Sequence, residues 1–468
     1  MNRKAIIALT IAALLVVVVV VAAIGVSSIM NKGKGLVIID FDCAKCRGHL
    51  NSLEANGPRM AGSDSEQKGA EYIVSQFQAA GLKNCQVETF SCPLFQVNSA
   101  EVSLVKYGPL MRMPSPLATP QTFVHMQDYV LQGYCGSYHW SNFMDDLRIV
   151  DIGDGSTAAN YTPAQGQAAL IDTSANTPKN PVVFQYANDA GVRAIILHNL
   201  VQGAEDGYIP IFKTNTAYFT WPGTWPDIPF MMVSKDMGDT LVSAASNSKL
   251  RLNIDVTSGP MDLCVAVGEI PGSEKTDQYY MLGAHHDTVY NGPGAVDNTC
   301  GASVVTQMAW ELSKYKPKYT IRFCTFGGEE EGLLGSEAYF AAHESELVNH
   351  VKWYFNFDMP NVDIARGNSF DFTTAENSTV PLLNQIKDKM VEKTPELKKY
   401  QINITYDDGK WEGSDQWPFA SHDIPVTNSW GVGSYEYHTY KDDPSHINDE
   451  SLQLAGRIAG SFIVHEAC

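Results

Sequence analysis

Five short stretches of the chain concentrate side chains able to hold a metal or move a proton. His285, His286 and Asp287 stand together in MLGAHHDTVY, Asp297 in GAVDNT, and Glu329, Glu330 and Glu331 in FGGEEEG. Asp358 ends FNFD and His438 lies in YEYHTY. Imidazoles and carboxylates are costly to bury unless each finds a partner. Zinc accepts both, and a catalytic zinc site keeps one position open for water. The residue types assign His285, Asp297 and Asp358 to one zinc ion, and Asp297, Glu330 and His438 to a second, with Asp297 bridging. Two divalent ions, three carboxylates and a hydroxide sum to neutrality, which is easier to seat in a partly dry cleft than a charged cluster. Asp287 lies two residues beyond His285 and so on the same side of an extended chain. It reads as the acceptor that fixes the free ring nitrogen of His285. Glu329, beside a ligand, reads as the catalytic base, since zinc lowers the pKa of water and a nearby carboxylate takes the proton. His286 reads as a wall residue and Glu331 as a solvated neighbour. Tyr437 either donates to a tetrahedral oxyanion or packs beside the metal.

These residues need elements that bring them together. YYMLGA, YTIRFCTFG, VKWYFNFD and IPVTNSW read as buried strands. GASVVTQMAWELSKY reads as a helix with Val304, Val305, Met308, Ala309 and Leu312 on one face, and SLQLAGRIAGSFIVHE as a closing helix. The alternation predicts an α/β fold, with a mixed, mostly parallel sheet flanked by helices. In such sheets ligands bind beyond the carboxyl ends of the strands, which is where the candidate residues fall. Earlier in the chain, Ala70, Tyr72, Ile73, Phe77 and Ala80 predict a helix ending at Gly81, and Cys85 to Phe90 alternates as a strand. Residues 111–254 read as an inserted smaller α/β or β-rich lid domain, with a long surface loop over Phe212 to Pro229. The insert holds none of the proposed ligands, so it is expected to shape access and substrate choice. The expected organisation is therefore 1–34, then 35–110 with 255–468 as the chemical domain, interrupted by 111–254.

The 468 residues are 44% hydrophobic, and 52 acidic against 33 basic residues give a formal charge of −19. An acidic surface repels phosphate backbones, so nucleic acid is not an expected partner. From Ala5 to Asn31 the chain carries no charge. A bilayer core needs about 20 apolar residues, whereas a cleaved signal usually has roughly 7–15. Residues 1–34 are thus expected to be an uncleaved signal anchor in a membrane, with the large domain outside the cytoplasm, or secreted if the signal is removed. Sequons at Asn160, Asn377 and Asn403 fit an exported glycoprotein. Cys43 and Cys46 form a C-x-x-C pair with no second pair to complete a structural zinc site, and they read as part of a helix start.

GAHHDT, GAVDNTCGAS, FGGEEEGLLGSEAY, FNFDM, GSDQWPF and YEYHTY, in this order, resemble the motif series of co-catalytic di-zinc exopeptidases. That family includes secreted aminopeptidases and glutamate carboxypeptidases. The likeness covers roughly residues 40–110 and 255–468, and GPRMAGSDSEQKGAEYIVSQFQAAGL is similar to the family's opening. The middle segment resembles a protease-associated domain. The resemblance implies the zinc exopeptidase fold, a peptide substrate, two zinc ions, and the same five ligands and base already named. One departure is Gln416, where relatives often have histidine; it bears on a substrate-pocket contact and leaves the ligand set intact. Alternatives from other classes are a receptor-like ectodomain without catalysis and a one-zinc glutaminyl cyclase. Both would be expected to lack ligands or base that are present here. Among peptidases, a carboxypeptidase needs a cation for the substrate carboxylate, typically arginine. Arg322 and Arg366 are the arginines nearest the motifs, and the scarcity favours an aminopeptidase.

Overall fold

The strand-forming stretches join one sheet in the computed structural model, which describes residues 35–108, 110–200, 209–214, 227–408, 410 and 413–468. The expected anchor at 1–34 lies outside the described residues, as does most of the expected Phe212–Pro229 loop, Trp221 to Trp225 included. Among the described residues no helix is long and apolar enough to cross a membrane. Ile39–Cys468 form one compact unit.

In chain order the strands are β1 (Lys83–Lys106), β2 (Gln121–Phe123), β3 (Tyr129–Leu131), β4 (Leu147–Asp151), β5 (Ala168–Asp172), β6 (Ala194–His198) and β7 (Phe230–Val233). There follow β8 (Ser248–Ile270), β9 (Tyr279–His285), β10 (Thr320–Phe326), β11 (Val351–Phe357), β12 (Ser369–Thr374), β13 (Gln401–Tyr406) and β14 (Val426–Gly431). The longer helices are α1 (Cys43–Glu54), α2 (Asp64–Ala79), α3 (Asn180–Asp189), α4 (Lys235–Ala244), α5 (Cys300–Leu312), α6 (Leu334–His350), α7 (Val380–Lys393) and α8 (Asp449–Ala467). The sheet runs β13-β12-β14-β11-β9-β10-β8-β4-β5-β6-β7-β3, with β1 paired to β8 and β2.

The middle of the sheet carries the candidate site. β14, β11, β9 and β10 are mutually parallel, so their carboxyl ends share one edge. All seven residues of β9 are buried without alternation, as a strand covered on both faces must be. α5 packs against β9, β10 and β11, and α6 against β1, β8 and β11. α2 follows the expected periodicity: Ser63 caps it by accepting from the Glu66 N–H, Ala70, Ile73, Val74 and Phe77 are buried, and Gly81 leaves the helix at φ +90°. Cys43 opens α1 behind the N-cap Asp42.

Residues 111–254, expected as an insert, are tied in by a long ribbon. β1 and β8 pair antiparallel from Lys83 with Glu269 to Lys106 with Ser248, well beyond the expected Cys85–Phe90 strand. β8 continues into the insert by pairing with β4, and β4, β5, β6 and β7 form a parallel run. One apolar core contains Leu170, Ile196, Phe212 and Met231 of the insert together with Met60, Phe95, Val289 and Tyr290. Phe212, expected at the start of a surface loop, is wholly buried in that core. An aromatic side chain of this size is drawn inside because its burial contributes about 1.5–3 kcal/mol.

Candidate metal centre

Four parallel strands deliver the candidate residues to one edge. His285 is the last residue of β9, in register with Phe326 at the end of β10, and Glu329 and Glu330 follow in the turn beyond. Asp358 comes directly after β11, whose Phe357 lies in register with Ser429 of β14. His438 is reached by the loop after β14 and adopts φ 59°. Asp297 sits in the irregular turn that leads into α5, and its peptide bond to Asn298 is cis.

His285 Nε2 lies 3.3 Å from one Asp297 oxygen and 3.5 Å from Asp358. The other Asp297 oxygen lies 3.1 Å from His438 Nε2, which is itself 2.9 Å from Glu330. Two buried triads, His285–Asp297–Asp358 and Asp297–Glu330–His438, thus share Asp297. His285 Nε2, His438 Nε2, one Asp358 oxygen and one Glu330 oxygen have no hydrogen-bond partner among the described residues. Buried polar atoms are otherwise almost always satisfied, so this convergence suits cations with nitrogen and carboxylate ligands. The field agrees. Burial disfavours a charged His285, yet Glu329, Asp287, Asp297 and Asp358 outweigh it and hold the imidazole well above its usual range. His438 is pushed up to about 9 against burial, chiefly by Glu330. Glu329 is raised by burial and by Asp358 and Glu330, with His285 opposing.

Other residues hold this arrangement. Asp287 lies 3.3 Å from His285 Nδ1, and its carboxylate also accepts from the backbone N–H groups of Glu329 and Glu330. Asp442 accepts from the N–H groups of Val296 and Asp297, at 2.9 and 3.0 Å, and fixes the turn that presents Asp297. Asn298 donates to the Phe357 carbonyl and accepts from the N–H of Met359, linking that turn to the residues flanking Asp358. His438 Nδ1 donates to the carbonyl of Phe212 at 2.8 Å. Sequence reasoning missed Asp442, Asn298 and Phe212. KDDPSH looks like a solvated acidic turn, and a backbone carbonyl leaves no mark in the residue types.

One expectation changes. Glu331 is not a solvated neighbour: it is wholly buried, accepts from the Phe95 N–H and lies 2.6 Å from the Tyr134 hydroxyl, and burial pushes it up to about 8. It ties the turn holding Glu329 and Glu330 to the insert, because Tyr134 belongs to the latter. His286 is buried as a wall residue, with Nε2 3.3 Å from Glu66. His446 pairs with Asp363 and Glu436 at 3.7 and 3.6 Å.

A cavity of about 610 Å³ opens over the centre, lined by Glu329, Glu330, Leu333, Trp417, Tyr437 and His438 and, from the insert, by Lys179, Asn180, Lys213 and Thr214. Gln416 is wholly buried beside Trp417.

The sequence profile of peptidase family M28 matches residues 266–463. The chain is 26% identical over 421 residues to aminopeptidase YwaD of Bacillus subtilis, covering 88% of this chain and 82% of that protein. It is 32% identical over 303 residues to leucine aminopeptidase 2 of Trichophyton equinum, covering 64% of this chain and 54% of the relative. In structure it resembles BSAP, a zinc aminopeptidase from Bacillus subtilis, with a TM-score of 0.70 at 22% identity, over 93% of this chain and 96% of the other. A peptidase M28 precursor from Shewanella amazonensis matches with a TM-score of 0.68 at 20% identity, over 91% and 93% of the two chains. These structural likenesses span nearly the whole chain. Over residues 266–463 the chain resembles peptidase family M28.

Proposed function

We propose that the protein is a zinc-dependent aminopeptidase, with His285, Asp297 and Asp358 holding one zinc ion, Asp297, Glu330 and His438 a second, and Glu329 acting as the catalytic base. The observation that carries this reading is the pair of buried triads sharing Asp297, beside Glu329 and beneath an open cavity. When bound, the two zinc ions polarise the scissile carbonyl and make water acidic enough to lose a proton near neutral pH. Glu329 takes that proton and hands it to the leaving amine. Glu329 and Asp358 form a negative field that draws in a substrate α-ammonium, and this selects the N-terminus of a peptide. Asp287 keeps the His285 ring in place. The Tyr437 hydroxyl, which faces the same cavity, donates to the carbonyl oxygen as charge develops there.

The engagement of the two arginines nearest the site supports N-terminal reading. Arg322 is bound to Glu269 and Glu346, both at 2.7 Å, and Arg366 donates to the Ser434 carbonyl. Neither arginine lines the cavity that a carboxypeptidase substrate would enter. The insert, whose Lys179, Asn180, Lys213 and Thr214 line the cleft, serves as its lid. The uncharged run from Ala5 to Asn31 supports a membrane anchor with the enzyme outside the cytoplasm.

The test uses the purified protein with leucine 4-nitroanilide, its N-acetyl form and N-acylated dipeptides, alongside metal analysis. Turnover of the free amine is expected, with little of the acetylated form. Two zinc equivalents are expected, lost to a chelator together with activity. Efficient cleavage of N-acylated dipeptides that requires a free carboxylate would establish the carboxypeptidase reading instead.

A further inference from the structure

The insert reaches the reacting centre with more than a wall. Its segment 209–214 runs beside the loop that bears Tyr437 and His438. Phe212 accepts from His438 Nδ1 at 2.8 Å and donates its own N–H to the His438 carbonyl at 3.3 Å. The next residue, Lys213, is held by its backbone. Its N–H donates to Gln132 Oε1 and its carbonyl accepts from the Gly133 N–H. Gln132 in turn donates to the carbonyl of Ile211. The side chain of Lys213 lines the cleft, partly buried, where its Nζ lies 2.8 Å from the Tyr437 hydroxyl oxygen and 4.3 Å from the ring centre. No carboxylate lies within ion-pair distance of it among the described residues.

The donor inventory gives this contact a direction. An ammonium group has donors only, so the Tyr437 oxygen must accept. The phenolic proton is then left to donate elsewhere, and no protein acceptor takes it among the described residues. The ring cannot swing away, because it stacks on the His438 imidazole at 3.7 Å between centres and 19° between planes. The hydroxyl faces the cavity shared with Glu329 and Glu330. A cation on the oxygen also polarises the O–H bond and strengthens it as a donor.

We propose that Lys213 is a positioning residue for peptide-bond hydrolysis: from the insert, it fixes and polarises the Tyr437 hydroxyl as a hydrogen-bond donor to the reacting carbonyl oxygen. This rests on the aminopeptidase reading above. It makes the insert a contributor to the chemical step as well as to access.

The experiment compares wild type, Lys213→Met, Lys213→Arg, Tyr437→Phe and the Lys213→Met/Tyr437→Phe double variant, each as the zinc-loaded protein. Leucine 4-nitroanilide gives kcat and KM, a leucine-derived boronic acid serves as tetrahedral analogue, and free leucine serves as ground-state ligand. Losing an oxyanion donor outright costs roughly 10²–10³ in kcat, and losing its positioning should cost less, about 10- to 100-fold. Lys213→Met is expected to lower kcat and boronic acid affinity by that factor, with KM, leucine affinity and zinc content held. Lys213→Arg should recover most of the rate. The double variant should be no slower than Tyr437→Phe, because the two residues act as one unit. A loss in KM alone, a loss of zinc, or additive losses in the double variant would overturn the proposal. If Lys213→Met unfolds, rescue by arginine and selective loss of boronic acid binding in Tyr437→Phe still decide it, and failure of either refutes it. A wild type inactive on free-amine substrates defeats the aminopeptidase reading itself. An active wild type matched by Lys213→Met defeats only the role of Lys213.

Discussion

Asp442 and Asp287 do related work around the candidate metal centre. Each carboxylate accepts backbone N–H groups of the turn that presents a candidate ligand, Asp297 in one case and Glu330 in the other. Asp442 is buried and held protonated to higher pH than usual by burial and by Asp297, with the two N–H groups opposing. Asp442→Asn keeps the size but turns a donor towards one of those N–H groups. It is expected to weaken zinc binding by about 10- to 100-fold, as losses of ligand-supporting hydrogen bonds do. Competition with a graded chelator measures this, and unchanged affinity would refute the role. Glu329 and Glu330 are neighbours with different tasks. Glu329→Gln should leave zinc bound while kcat falls by about 10²–10⁴-fold, and Glu330→Gln should lower zinc content. If Glu329→Gln emptied the site while Glu330→Gln kept it loaded, the assignments would be exchanged.

At the scale of elements, the site depends on how closely α5 approaches the end of β11. A Cβ at Gly301 would stand 2.3 Å from the Asn298 side-chain oxygen and 2.4 Å from the Phe357 carbonyl. Glycine here lets the helix start against the strand, with Asn298 bridging them by accepting from the Gly301 N–H and donating to Phe357. Gly301→Ala must push the two apart. Overpacking of this kind costs about 1–3 kcal/mol. Denaturant titration should show that loss, together with reduced zinc content, because Asp297 and Asp358 flank the contact. A variant as stable and as fully loaded as wild type would show that the approach is not needed. The β1–β8 ribbon is the other element with functional reach. It carries Phe95, whose N–H holds Glu331, and it feeds into the insert that carries Tyr134 and Lys213.

Across the whole molecule, the shared core and the buried histidines set the response to acid. His49, in α1, is pushed down to about 4 by burial first and by Lys45 second. His125, in the insert, is pushed down to about 4 by burial. In the unfolded chain each would take its proton near pH 6.5. Between that value and about 4 the unfolded state therefore binds more protons, so stability falls as pH falls through this window. Each group adds up to about 1.4 kcal/mol per pH unit there. Glu54, raised to about 7 by burial, works in the opposite sense over part of the same range. Comparison with a variant isolates one group: His49→Gln, which can still bond Tyr72, should show a shallower loss of stability between pH 6.5 and 4 than wild type. Equal slopes in urea melts across that window would contradict the assignment.

The sequence by itself determined the strands and helices around the candidate metal centre and the residues at their ends. YYMLGA is apolar at every position and so could only be a covered strand, and the helix from Cys300 and the closing helix from Asp449 follow their apolar periodicity. Residue type and position then brought His285, Asp297, Glu330, Asp358 and His438 to one edge of a parallel sheet. Tertiary structure alone decided what lies around them. Glu331 has the same type as its two neighbours, and only the pairing of β1 with β8, which brings Phe95 and Tyr134 to it, makes it a buried tie. Phe212 acts through a carbonyl, which is identical in every residue, and Lys213 stands 224 positions from Tyr437. Local periodicity records which face of an element is buried, but not which distant segment will cover it. The insert's place beside His438 therefore follows from the shared core and the long ribbon, and from nothing within residues 209–214 themselves.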